Sequence, residues 1–172
     1  MKIERMQTGV RIESRLLAAL DELAKQDKQN LGEKIEEIVL HAFAGKGACA
    51  WAGAALKRVA KVKKACGIAY GPHACYSFDE QDGPVPGPPG RASLKVRRVQ
   101  VGFKIEKRML KVLKAIAELN DAKLGHLLEE IVLHQMDGVD AFTPKTLKKI
   151  AMFRQAYEMD YDVHANYRFA ES

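Results

Sequence analysis

Residues 2–41, laid over residues 95–134 without a gap, agree at 18 of 40 positions, from Lys2/Lys95 through Gln7/Gln100 and Gly32/Gly125 to His41/His134. A duplicated segment constrains the fold more than any composition figure, because both copies must take up one local structure. With two residues fewer in the second copy, the match resumes at Leu56-Lys57/Leu147-Lys148. It ends in His73-Ala-Cys-Tyr-Ser-Phe78 against His164-Ala-Asn-Tyr-Arg-Phe169. Two copies are too few for a solenoid and are the number a pseudo-dimer needs. The chain divides into a first repeat, 1–78, a linker rich in Pro and Gly, 79–94, and a second repeat, 95–172.

Each repeat opens on alternation at period two. Met6, Thr8, Val10 and Ile12 share one face of a predicted strand, as do Val99, Val101, Phe103 and Ile105. The opposite face carries Arg5, Gln7, Gly9 and Arg11 in one copy and Arg98, Gln100, Gly102 and Lys104 in the other. A lone two-stranded ribbon is marginal in water, so something must pack beneath the apolar face while the polar face stays free for a partner.

Apolar spacing then predicts a first helix over 14–26 and 107–119, through Leu16, Leu20, Leu23 and Ala24 and through Met109, Leu113, Ile116 and Ala117. Asn30 with Glu33 three residues on predicts a capped start for a second helix, which places Leu31, Ile35, Ile38 and Val39 on one side. In the second copy Lys123 and His126 hold those positions, so that cap is weaker or shifts to Asp121. Gly45 and Gly138 are the predicted C-terminal caps. A third helix follows in each copy. Thr143-Pro144 begins one, with an Ile150, Phe153 and Tyr157 stripe. The other has an Ala55, Val59, Val62 and Cys66 stripe and gathers Lys57, Arg58, Lys61 and Lys64 on another face.

Strand, helix, helix with a polar outward strand face resembles the ribbon-helix-helix family of DNA-binding proteins, the MetJ/Arc class. The resemblance covers residues 5–43 and 98–136. Two copies on one chain look like the tandem arrangement of TraY-type proteins. It implies a mainly α fold with a two-stranded antiparallel β-ribbon, a tandem pseudo-dimer in which each repeat adds a C-terminal helix. A forty-residue unit of this kind cannot bury enough apolar surface alone, and the two repeats are expected to intertwine as one domain.

The resemblance puts base contacts on Gln7, Gly9 and Arg11 and on Gln100, Gly102 and Lys104. Gln can pair with adenine N6 and N7, and Arg or Lys can donate to guanine O6 and N7. The central glycines depart from the polar residue more common there, so either the backbone comes closer to the bases or fewer bases are read. A solvated strand face with a glycine bulge is the bland alternative. Phosphate contacts fall on Asn30, Leu31 and Gly32 and on Lys123, Leu124 and Gly125, where helix starts offer free N–H groups. Arg5 and Arg98 at the ribbon ends are further expected backbone contacts, and the Lys57, Arg58, Lys61 and Lys64 face is either another phosphate contact or a solvated helix surface.

Of the formal charge of +6, most lies in the first half: residues 1–78 carry 13 basic and 8 acidic side chains, residues 79–99 carry 4 and 3, and residues 100–172 carry 11 of each. That balance suits a polyanion without choosing one. Cys49, Cys66 and Cys75 are odd in number and form no C-x-x-C pair, which predicts free thiols in a reducing compartment. No apolar leader opens the chain, and the longest uncharged apolar run, Ala48 to Leu56, is too short to cross a bilayer. His41, His73 and Cys75 could converge on a metal, but Cys75 becomes Asn166 in the second copy, and the sequence predicts neither metal nor cofactor. Glu36-Glu37 and Glu129-Glu130 are expected to face solvent or their own copy's basic residues. No catalytic motif appears.

The expectation is a cytoplasmic, nucleoid-associated, non-enzymatic monomer that binds double-stranded DNA, with no membrane partner and with association of chains on DNA left open. A transcriptional repressor fits this best. An accessory protein of a plasmid transfer or partition complex stays open, as does, from another class, a protein-interaction or antitoxin-type module.

Overall fold

The computed structural model describes residues 1–45, 47–80 and 94–172. The chain runs β1 (Lys2–Ile3), β2 (Arg5–Glu13), α1 (Ser14–Gln26), α2 (Leu31–Ala44), α3 (Ala54–Ala65), a 3-10 helix (Pro72–Ser77) and β3 (Phe78–Glu80). It then repeats: β4 (Leu94–Val96), β5 (Arg98–Glu106), α4 (Lys107–Leu119), α5 (Leu124–Met136), α6 (Pro144–Ala156), a second 3-10 turn (Ala165–Arg168) and β6 (Ala170–Glu171). The fold is mainly α, and the first helices begin and end where the apolar spacing puts them.

β2 and β5 pair antiparallel over nine positions, from Arg5 opposite Glu106 to Glu13 opposite Arg98. The register is unbroken and Gly9 faces Gly102 at its centre, so there is no glycine bulge. Beneath the ribbon, Val10, Ile12, Phe103 and Ile105 are buried against α1, α2, α4 and α5 in a core that includes Leu16, Leu20, Ile35, Ile38, Met109, Leu113, Leu128 and Ile131. α2 packs on β5 and α5 packs on β2, so each repeat's second helix lies under the other repeat's strand.

Helix ends follow local chemistry. Asn30 and Glu33 form a reciprocal capping box, with Asn30 Oδ1 accepting from the Glu33 N–H at 2.9 Å and Glu33 accepting from the Asn30 N–H at 3.0 Å. The second copy's cap position is Lys123, which makes no side-chain capping bond, and Asp121 does not take over. It sits in the turn at φ 49°, as Lys28 does at φ 55° in the first copy. Thr143 caps α6, as its spacing predicts. Of that helix's expected stripe, Ile150 is buried and Phe153 half-buried. Tyr157 is exposed, with the Lys111 ammonium 5.7 Å from its ring centroid.

Two features lie outside the sequence expectations. Glu13 and Glu106, both fully buried, cap α1 and α4 by accepting from the Leu16 and Met109 N–H groups. Each also accepts a phenol hydrogen bond, Tyr70 on Glu13 at 2.8 Å and Tyr161 on Glu106 at 2.5 Å. Burial first, then the carboxylate, holds both tyrosine pKa values far above the ordinary range.

The other feature revises the linker. Its first two residues and its last are strand: β3 pairs parallel with β4, as β6 does with β1. Each repeat's tail therefore runs beside the lead strand of the other. The polyproline stretch expected over 79–90 falls mainly in 81–93, outside the described residues. Because β2 and β5 come from different repeats and share one core, cutting the chain within 81–93 is expected to leave two fragments that elute together in gel filtration. Separate folded halves would contradict this packing.

Candidate nucleic-acid interface

The outward face of the ribbon presents three cross-strand pairs: Gln7 with Lys104, Gly9 with Gly102, and Arg11 with Gln100. All six residues are exposed. The glycines are not empty space. A Cβ on Gly9 would stand 2.9 Å from Gln100 Nε2, and one on Gly102 would stand 2.8 Å from Gln7 Nε2. The two glutamines therefore lie across the midline of the ribbon, and glycine is what lets them do so. The surface reads cation, amide, amide, cation along a diagonal.

The cations have internal partners. Arg11 forms an ion pair with Glu80 of β3, and Lys104 pairs with Glu171 of β6 at 3.4 Å. Glu80 and Glu171 occupy equivalent places in the two tails, so each tail sets a carboxylate against an outward strand cation. Arg11 holds the Glu80 carboxyl below its ordinary range.

Helix starts flank both ends of this surface. A Cβ on Gly32 would come within 2.0 Å of the Lys104 carbonyl oxygen, and one on Gly125 within 2.3 Å of the Arg11 carbonyl oxygen. Only glycine allows helix and strand backbones to approach this closely. The start of α2, Asn30-Leu31-Gly32, thus abuts Lys104, and the start of α5, Lys123-Leu124-Gly125, abuts Arg11.

The two ends differ. At α2 the capping box takes up the N–H groups of Asn30 and Glu33 and adds the carboxylate of Glu33. At α5 no side chain caps the helix, and Lys123 is exposed. His126 stands where Glu33 stands in the first copy. A cleft of about 200 Å³ opens at this end, lined by Arg11, Gln100, Lys123, Gly125 and His126 among others. Burial, with the charges of Arg98 and Lys123, lowers the His126 pKa below the usual histidine value.

Arg5 and Arg98, expected on phosphate, have other work. Arg5 donates twice to Glu36, both at 2.9 Å, and Glu36 also accepts the Glu106 backbone N–H at 2.8 Å. Arg98 donates to Glu129 at 2.8 and 3.0 Å, and Glu129 accepts the Glu13 N–H at 2.8 Å. Glu36 and Glu129 do pair with their own copies' arginines, but they are buried and do not face solvent. Each carboxylate ties its repeat's second helix to both strands at a ribbon end. The signal was present in the sequence: both residues of each pair are identical in the two copies and stand 31 residues apart.

α3 packs on α1 and α5. Lys57, Lys61 and Lys64 are exposed on it, whereas Arg58 pairs with Asp27 at 3.1 Å. The three cysteines are free and half-buried, and burial first, then Glu130 and Glu129, pushes the Cys75 thiol up to about 12. His41 meets His164, not His73, with ring centroids 5.9 Å apart, while His73 meets His134 at 5.2 Å. The His41, His73 and Cys75 trio does not converge. Among the described residues, no helix is long and apolar enough to cross a membrane. Comparisons with family models, curated proteins and solved structures return no match.

Proposed function

We propose that the two repeats form a single-chain ribbon-helix-helix pseudo-dimer that binds duplex DNA sequence-specifically, laying the outward face of β2 and β5 in the major groove. The observation that carries this is the joint placement of Gln7, Arg11, Gln100 and Lys104 on one exposed ribbon face, bracketed by two helix N-termini pressed against it through Gly32 and Gly125. A groove about 12 Å wide admits such a ribbon, and its base edges distinguish all four base pairs. Helix N-termini on either side suit the flanking phosphates. The biological role that fits best is repression, by occupying an operator. The tail carboxylates Glu80 and Glu171 must yield Arg11 and Lys104 to the bases, and this competition works against loose, nonspecific binding.

In this reading the site is an imperfect inverted repeat. Gln7 and Gln100 ask for the same base at related positions, whereas Arg11 offers a planar fork where Lys104 offers a point charge. Gln7→Ala and Arg11→Ala are each expected to cost about 1–3 kcal/mol on the preferred site and little on random DNA. Fragments selected from random duplex DNA would supply the site, and single-base variants of it the comparison. Equal losses on specific and random DNA would mean that the ribbon does not enter the groove.

His126 gives a second test. Its lowered pKa means that the unfolded chain binds a proton more readily, so the stability His126 contributes is present above about pH 6.5 and is lost as pH falls through its folded value. A phosphate at the start of α5 favours the imidazolium. Affinity for DNA should therefore rise over the same fall in pH, opposite in sign to stability. Titrating both from about pH 8 to about pH 5.5 in wild type and His126→Gln checks this. A DNA affinity that keeps its full pH dependence in the variant would remove His126 from the phosphate site.

A further inference from the structure

The duplication supplies an internal comparison of one site in two states. In the first repeat Lys34 is wholly buried, and its ammonium donates to Asp27 at 2.6 Å and to Glu37 at 2.8 Å. It lies 5.7 Å from the centroid of the Trp51 ring, and Tyr167, from the tail of the other repeat, closes over Glu37 with a hydrogen bond at 2.8 Å. Arg58 pairs with Asp27. The two carboxylates and two cations balance.

The second repeat keeps this frame and omits the lysine. Glu130 stands for Glu37, with Tyr76 donating to it at 2.6 Å; Phe142 stands for Trp51, Asn120 for Asp27, and Leu127 for Lys34. Leucine is too short to reach where the ammonium sits. The cavity there is about 530 Å³, against about 340 Å³ at its counterpart in the first repeat. Among the described residues no cation pairs with Glu130, whose second oxygen is left without a donor.

We propose that this cavity binds a small primary amine, whose ammonium takes the place that Lys34 fills in the first repeat. An ammonium carries three donors. The free oxygen of Glu130, the side-chain oxygen of Asn120 and the hydroxyl of Thr143 or Thr146, all on the cavity wall, supply three acceptors. Phe142 lines the cavity as the aromatic counterpart of Trp51, and with Leu127 gives apolar surface for the alkyl chain. Arg98 and His126 also line the cavity, but Arg98 is already paired with Glu129 and Glu80, so Glu130 is the one carboxylate left uncompensated and calls for a monocation rather than a diamine. The proposal does not depend on DNA binding.

The test is calorimetric titration of the full chain with n-butylammonium chloride, with 1-butanol as the neutral control. The expected result is saturable binding at one site, at least about tenfold weaker for the alcohol and for the amine on Glu130→Gln. Leu127→Lys supplies the ammonium internally and should abolish binding. Equal binding of alcohol and amine, or an unchanged affinity in Glu130→Gln, overturns the proposal, as does no saturation with the amine. If Leu127→Lys fails to fold, the Glu130→Gln comparison decides.

Discussion

Gly125→Ala should lose about 4 kcal/mol or more of unfolding free energy, a large part of the whole stability of a domain of this size, and Gly32→Ala should do the same. The methyl carbon would stand 2.3 Å from the Arg11 carbonyl oxygen at one position and 2.0 Å from that of Lys104 at the other. Both obstacles are ribbon backbone and cannot rotate aside. Relief requires moving the start of α5 or α2 away from the strand, which opens the core around Leu128 or Ile35. Gly9→Ala is the control. Its Cβ clashes only with the far end of the Gln100 side chain, the Val101 carbonyl oxygen standing at an ordinary 3.9 Å, so its cost should stay under about 1 kcal/mol. Urea unfolding of the four proteins gives the comparison. A wild-type midpoint for Gly125→Ala would mean that the helix does not press on the ribbon.

Arg98→Ala is expected to cost about 3–5 kcal/mol, because it strands the buried carboxylate of Glu129 with only the Glu13 N–H for company. Burial opposes the Arg98 charge, yet the bonds it donates to Glu129 and Glu80 raise its pKa on balance, so the guanidinium is held firmly ionised. Arg11→Ala, by contrast, removes an exposed cation from an exposed pair and should change stability by less than about 1 kcal/mol. The outward-strand cations thus separate by measurement. Arg5 and Arg98 should register in unfolding curves, Arg11 and Lys104 in DNA affinity. A small loss for Arg98→Ala would show that Glu129 finds another cation or takes up a proton, and that the clamp contributes little.

Why Arg11 is exposed on the face that alternation assigns it, while Arg98 is buried, has a physical answer. Alternation assigns a strand residue to a face but says nothing of its distance from the ribbon end, where a glutamate from a helix below can reach round the edge. The period-two pattern therefore put Arg98 on the outer face, and its guanidinium turned inward to Glu129. The helices were legible because Leu16, Leu20 and Leu23 leave one face no alternative to burial. The parallel pairing of β3 with β4 was not, since pairs of two or three residues leave no periodic trace and Pro/Gly composition masks them. Lys34 shows the limit most sharply. A lysine within an apolar stripe looks solvent-facing until Asp27, Glu37 and Trp51 are seen to enclose it.

The pairing of β1 with β6 carries a consequence for the topology of the chain. The Met1 ammonium donates to the Arg168 carbonyl at 2.8 Å, so the two termini meet where, in the other half, Glu80 and Leu94 are joined through residues 81–93. The β1–β6 and β3–β4 pairs are two equivalent seams, each holding the tail of one repeat beside the lead strand of the other. A circular permutant that joins Ser172 to Met1 and opens the chain between the repeats, or the two repeats made as separate chains, is expected to keep both seams.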